Sequence, residues 1–172
     1  MEFSHYTAEP LTEIWNLPSE PATYRRFHKP TGLWLAIDGE HDWPKWCISE
    51  GWNIERLAKR YKINLHPEAQ IIRLTDEKEV IEFSKRFNMR VMNSAGSGRI
   101  YYLNWPKIRT LAAGIVFSGW NFSMHWSNDE NLSWVYGWDV PSACIWNAQA
   151  IESFVEDLEW RAPQVINRNG DT

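Results

Sequence analysis

Twelve tryptophans, six tyrosines and seven phenylalanines in a chain of 172 residues are the feature that most limits what this sequence can become. Each ring removes roughly 150–250 Å² from water when buried. The chain therefore needs a core built largely of aromatic side chains, or a surface on which rings stack against a planar ligand, and the counts leave both open. Charge narrows the partners: 18 basic against 22 acidic side chains give a net charge of −4, without the positive surplus that drives non-specific binding to duplex nucleic acid. The longest apolar run, Leu111 to Phe117, falls well short of the ~20 residues a membrane helix needs. The opening Met1-Glu2-Phe3-Ser4-His5-Tyr6 lacks the basic and apolar segments of a secretory signal, so the expectation is a soluble, cytoplasmic protein with no membrane partner. Cys47 and Cys144 are far apart and form no CxxC, which predicts two buried thiols rather than a disulfide framework or a zinc cluster.

No internal repeat and no Gly/Ser-rich linker divides the chain, which predicts one domain over residues 1–162 and a polar tail over 163–172. Four prolines (Pro10, Pro18, Pro21, Pro30) and the cluster Arg25-Arg26-Phe27-His28-Lys29 mark a long loop, with a short helix expected over Leu11 to Trp15. Short apolar runs beside turn residues predict strands at Thr31–Ile37, Gln70–Leu74, Ile100–Leu103, Ile115–Phe117 and Ala143–Trp146, and in the second half of Leu57–Leu65. Helices are expected from Asp42 as cap, with Pro44 in the first turn and Gly51 as stop, and from Thr75 as cap, running from Asp76 to Phe87. A third is expected from Asn104 to Gly114. A final one should follow Asn147, its Ile151, Phe154, Val155 and Leu158 repeating at i, i+3, i+4, i+7. Strands and helices alternate without a βαβ rhythm, which predicts an α+β fold.

Few chemical motifs stand out. Ala95-Gly96-Ser97-Gly98 contains a GxG, but no apolar strand leads straight into it with a helix after, and it reads as a plain loop. The histidines at 5, 28, 41, 66 and 125 show no ligand spacing, so no metal is expected, and no GxSxG elbow is present. A scattered constellation remains: His5-Tyr6-Thr7; then Gly32-Leu33-Trp34-Leu35-Ala36; then Trp46-Cys47, with Trp46 fourteen residues after Gly32; and Ser142-Ala143-Cys144-Ile145-Trp146-Asn147.

In its order and spacing this set resembles the ADP-ribosyltransferases of the branch that includes the poly-ADP-ribose polymerases and diphtheria-like toxins, over about thirty residues of the chain. The resemblance implies an α+β fold of two small packed β-sheets with flanking helices around a nicotinamide cleft. It also implies NAD as substrate and transfer of ADP-ribose to a protein or nucleic-acid acceptor. His5 would contact a ribose hydroxyl and Thr7 the nicotinamide carboxamide, with Tyr6 at the family's glycine making a backbone contact. Gly32 and Trp34 would occupy the family's glycine-to-aromatic strand, and Trp46 would replace the tyrosine that stacks on nicotinamide. Ser142 stands where the family has its catalytic glutamate, and Asp139, three residues earlier, would have to supply the carboxylate. The basic residues Arg25, Arg26 and Lys29, and Arg56, Lys59, Arg60 and Lys62, either guide a pyrophosphate or are solvated charge. Two other readings stand beside this one: a non-catalytic NAD- or ADP-ribose-binding module, favoured by Ser142, and an aromatic-rich module for single-stranded nucleic acid or sugars, favoured by the tryptophans.

Overall fold

A computed structural model describes residues 1–14, 29–39, 42–92 and 99–163. Among the described residues nine strands appear in chain order: β1 (Phe3–Thr7), β2 (Leu33–Ile37), β3 (Lys59–Leu65), β4 (Ile71–Leu74), β5 (Asn88–Met92), β6 (Arg99–Leu103), β7 (Gly114–Phe117), β8 (Ser142–Ile145) and β9 (Ile151–Glu156). Four α-helices accompany them: α1 (Trp43–Glu50), α2 (Glu77–Phe87), α3 (Trp105–Arg109) and α4 (Phe122–His125). Seven strands form one mixed sheet in the order β4-β7-β8-β2-β1-β3-β9, while β5 and β6 pair separately as an antiparallel ribbon. Only β4 and β7 run parallel; the other neighbours in the large sheet are antiparallel. The α+β class is thus present, but among the described residues the strands make one long sheet and a ribbon rather than two small packed sheets.

The period-two alternation of side chains sorts the apolar residues onto two faces. Ile115, Phe117 and Cys144 face a core of tryptophans, with Trp105, Trp120, Trp134, Trp138 and Trp146 all buried and covered by Val80, Phe83 and Phe87 of α2. Val116, Ala143 and Ile145 face the other way and join Phe3, Leu35, Tyr61 and Ile63. Ile71 from one edge strand and Phe154 from the other pack against that same cluster, so the sheet curls until its concave side chains meet. Much of the aromatic content therefore goes into core.

Local signals place the elements. Asp42 caps α1 by accepting from the Lys45 N–H, Pro44 lies in the first turn, and Gly51 ends the helix at φ 63°, a left-handed geometry that glycine adopts without a Cβ clash. Asp76, rather than Thr75, caps α2 by accepting from the Glu79 N–H, while Glu79 reaches back to the backbone N–H and hydroxyl of Thr75. Asn104 caps α3 as expected, but that helix stops at Arg109 because residues from Gly114 are needed as β7 beside β8. No helix occupies residues 11–14.

The helix expected after Asn147 is a correction: the Asn147 cap starts only a 3-10 turn, Ala148–Ala150, after which Ile151–Glu156 pairs with β3. The GxG loop at Gly96, the cluster Arg25-Arg26, Trp15 and residues 164–172 lie outside the described residues. No described helix is long and apolar enough to cross a membrane. Both cysteines are buried and free.

Candidate functional site

The sheet order brings β8, β2 and β1 side by side, so the three strand segments of the constellation, though far apart in sequence, become neighbours. Over them lies a cleft of about 390 Å³, walled by Trp43, Trp52, Asn53 and Arg56 and closed at one end by Lys29 and Asp139. Its size falls in the roughly 300–1,000 Å³ range of small-molecule sites. Of the residues singled out from sequence, His5, Tyr6, Gly32, Trp34, Asp139 and Ser142 all line this cleft. Thr7 and Trp46 do not.

His5 sits where the β1–β2 ladder opens. Backbone pairing between these strands covers Phe3↔Ile37 and Ser4↔Ala36, and beyond it the His5 Nδ1–H donates to the Trp34 carbonyl at 2.9 Å. A carbonyl only accepts, so the bond places the proton on Nδ1 and leaves Nε2 as the acceptor of a neutral ring. Burial holds the imidazole below its ordinary value, partly offset by that bond. Tyr6 packs edge-on against Trp160 with centroids 5.2 Å apart, and burial pushes its phenol up to about 12. Thr7 accepts from the Glu9 N–H at the exposed end of β1, away from the place that the resemblance implied for it.

Trp34 is half-buried and held by Trp138, ring centroids 4.8 Å apart at 62°. Gly32 is required by packing: a Cβ there would lie 2.6 Å from both Cys144 Sγ and the Ile145 carbonyl oxygen. Trp46 stacks on Trp43 at 5.0 Å and 15°, with Trp52 edge-on to both. The two rings that reach the cleft, Trp43 at the start of α1 and Trp52 just beyond its end, are therefore backed by Trp46, whose own face is covered by Trp43. Trp43, Trp52, Asn53 and Arg56 complete the wall, and none of the first three was read from sequence as a site residue. Their signal was local: Trp43 and Trp52 bracket the helix whose cap and stop were legible. Asn53 has φ 48°, a left-handed conformation that asparagine tolerates better than most residues.

Asp139 follows buried Trp138, and its carboxylate meets Lys29 Nζ at 3.1 Å. Its negative charge adds to burial in pushing the Cys47 thiol up to about 11. Ser142 lies within the sheet, opposite Ala36 and Phe117, and its hydroxyl donates to the Val140 carbonyl at 3.1 Å. Lys29 also lies over the Trp34 ring, 5.4 Å from its centroid. The second basic run divides: Arg56 lines the cleft, whereas Lys59 pairs with Glu156, Arg60 with Asp38 and Asp157, and Lys62 with Asp157.

Chemically the cleft offers, among the described residues, a fixed indole face at Trp34, a neutral imidazole acceptor, the Arg56 guanidinium, and the Lys29 ammonium paired with the Asp139 carboxylate. Among the described residues no group of three or more His, Cys, Asp or Glu is placed to hold a metal ion. Comparison with family models, with curated proteins and with solved structures finds no match to this chain.

Proposed function

We propose that this cleft binds NAD and that the chain is an NAD-dependent mono-ADP-ribosyltransferase. The observation that carries the reading is convergence: six residues chosen for that chemistry, from His5 to Ser142, line one cleft. In this reading the cationic nicotinamide ring stacks on Trp34, and a ribose hydroxyl donates to His5 Nε2. Arg56 faces the pyrophosphate, and Asp139 stands beside the ribose carbon that bears the ring. The bond between that carbon and the ring nitrogen breaks with its electron pair going to nitrogen, so nicotinamide leaves neutral and the positive charge passes to the ribose. The acceptor's nucleophilic atom then donates an electron pair to the same carbon and loses its proton to solvent. A preorganised carboxylate beside the developing cation contributes about 10²–10³ in rate.

A second reading, a module that binds NAD without cleaving it, is favoured by one observation: Ser142 carries no charge and its hydroxyl is engaged by Val140. Calorimetric titration with NAD followed by a nicotinamide-release assay separates the two. Binding with release supports the transferase, and binding without release supports the module. Absence of both defeats both, and directs attention to the exposed rings of Phe122, Trp126 and Tyr136 as a stacking surface for sugars or single strands.

A further inference from the structure

We infer that the face of Trp34 and the carboxylate of Asp139 form a subsite for a positively charged ring, and that Lys29 is its internal occupant, displaced by such a ring and returning when the ring loses its charge. The identity of the ring as a ribose-linked pyridinium rests on the NAD reading; the subsite itself rests on geometry.

Lys29 Nζ makes two contacts of the kind a ligand cation would make: 3.1 Å to Asp139 Oδ2 and 5.4 Å to the centroid of Trp34. The two receiving groups are held by the fold. Trp34 belongs to β2, paired with β8, and packs against buried Trp138. Asp139 lies between buried Trp138 and buried Val140. The occupant is held less firmly, because an ammonium on a four-carbon stem with its side chain 41% exposed exchanges readily with solvent.

An aromatic face and a carboxylate respond to positive charge rather than to the group carrying it. A pyridinium can therefore recover the interactions that Lys29 gives up, whereas an uncharged pyridine cannot and is excluded by the lysine. The same difference acts in time. Cleavage of the ring–ribose bond turns the pyridinium into neutral nicotinamide, which then holds the indole face less well than Lys29 does. Lys29 thereby favours the charged substrate over the neutral product and helps to expel the latter. Among the described residues Arg56 is the other cation lining the cleft, and neither Trp34 nor Asp139 holds it, so it can face an anionic part of the ligand.

The test compares 1-methylnicotinamide, a permanent cation, with neutral nicotinamide, by tryptophan fluorescence and calorimetry on the full chain, and titrates NAD alongside. Lys29→Met should bind 1-methylnicotinamide about tenfold tighter than the parent, since an exposed ion pair and an exposed cation–π contact no longer compete. Its affinity for neutral nicotinamide should rise by a similar factor, since the lysine no longer occupies the site, while 1-methylnicotinamide remains the tighter ligand in both proteins. Lys29→Arg should behave as the parent. Adding Trp34→Leu to Lys29→Met should abolish the gain, and Lys78→Met on α2 controls for a change in net charge. Lys29→Gln serves if the Met variant melts early.

Equal affinity of parent and Lys29→Met for the cation, nicotinamide binding as tightly as 1-methylnicotinamide in Lys29→Met, or an equal gain in Lys78→Met would each overturn the inference. A gain for 1-methylnicotinamide with no NAD binding by any variant upholds the subsite and defeats the NAD reading. NAD binding with no dependence on Lys29 does the reverse.

Discussion

Asp139→Asn keeps the shape of the side chain and removes its charge, which makes it the sharpest test of how the cleft would work. Its structural cost should be small. The Lys29–Asp139 pair has side chains 41% and 27% exposed, and pairs that open to water are worth about 0.2–1 kcal/mol. For a domain of this size that corresponds to a fall in melting temperature of at most about 4 °C. The ground-state cost should also be modest, since Trp34, His5 and Arg56 remain, and NAD affinity should fall less than about tenfold. In the proposed reaction the transition state is different: positive charge would then reside on the ribose beside the carboxylate, and losing a preorganised group there costs about 10²–10³ in rate, or ~2.7–4 kcal/mol. Nicotinamide release under saturating NAD, read with calorimetric affinity and a thermal melt on one preparation, separates the three effects. Release within threefold of the parent would refute the role of Asp139. Affinity falling while release at saturating NAD stays unchanged would show uniform binding rather than transition-state stabilisation.

Four further outcomes follow from the same geometry. Ser142→Glu introduces a carboxylate on the floor of the cleft and should raise NAD hydrolysis at least about tenfold, as one preorganised charge permits; a folded, NAD-binding variant with unchanged hydrolysis would mean that position 142 is not the carboxylate site. Arg60→Met leaves the Asp157 carboxylate, 8% exposed, with Lys62 at 3.4 Å and the Glu159 N–H at 3.2 Å, and should lower stability by about 3 kcal/mol, or roughly 6–12 °C by calorimetry. Because burial holds His5 below its ordinary value, the unfolded chain takes up that proton more readily. Stability should therefore be full above about pH 6.5 and decline on acidification until the lowered folded value is reached; His5→Gln should flatten that part of a melting-temperature profile. With both cysteines buried, the Cys47 thiol raised to about 11 and that of Cys144 also raised by burial, neither should react with a disulfide reagent at pH 8 until guanidinium unfolds the chain.

What could be read ahead of the structure was local. Asp42, Pro44 and Gly51 delimit α1, and the acids and bases at the two ends of α2 agree with its dipole, because caps and stops act within a few residues. The last strand was hidden by a bulge. Leu65 pairs with Ile151 and Asn64 with Ser153, so Glu152 is an extra residue on β9. That insertion puts Ile151 and Phe154 against the same apolar cluster three positions apart, a spacing that imitates a helix. Gly32, His5, Trp34, Asp139 and Ser142 could be named from the constellation, but Trp43, Trp52 and Lys29 reach the cleft only through tertiary packing, which no periodicity records. Trp46 was misplaced for the same reason: the α1 ring facing the cleft depends on how the helix is rotated over the sheet.

The strand order also governs when the cleft can exist. β1 and β2 form early in the chain, but β8, which supplies Ser142 and follows Asp139, arrives only after β3 to β7 have been made. A chain emerging from the ribosome has no complete cleft until the segment near residue 145 is free, and such long-range pairings form slowly. Until then one edge of Leu33–Ile37 lacks its β8 partner, an apolar edge open to other chains. Early truncation products should therefore lack the cleft and be prone to aggregate, until β8 is in place.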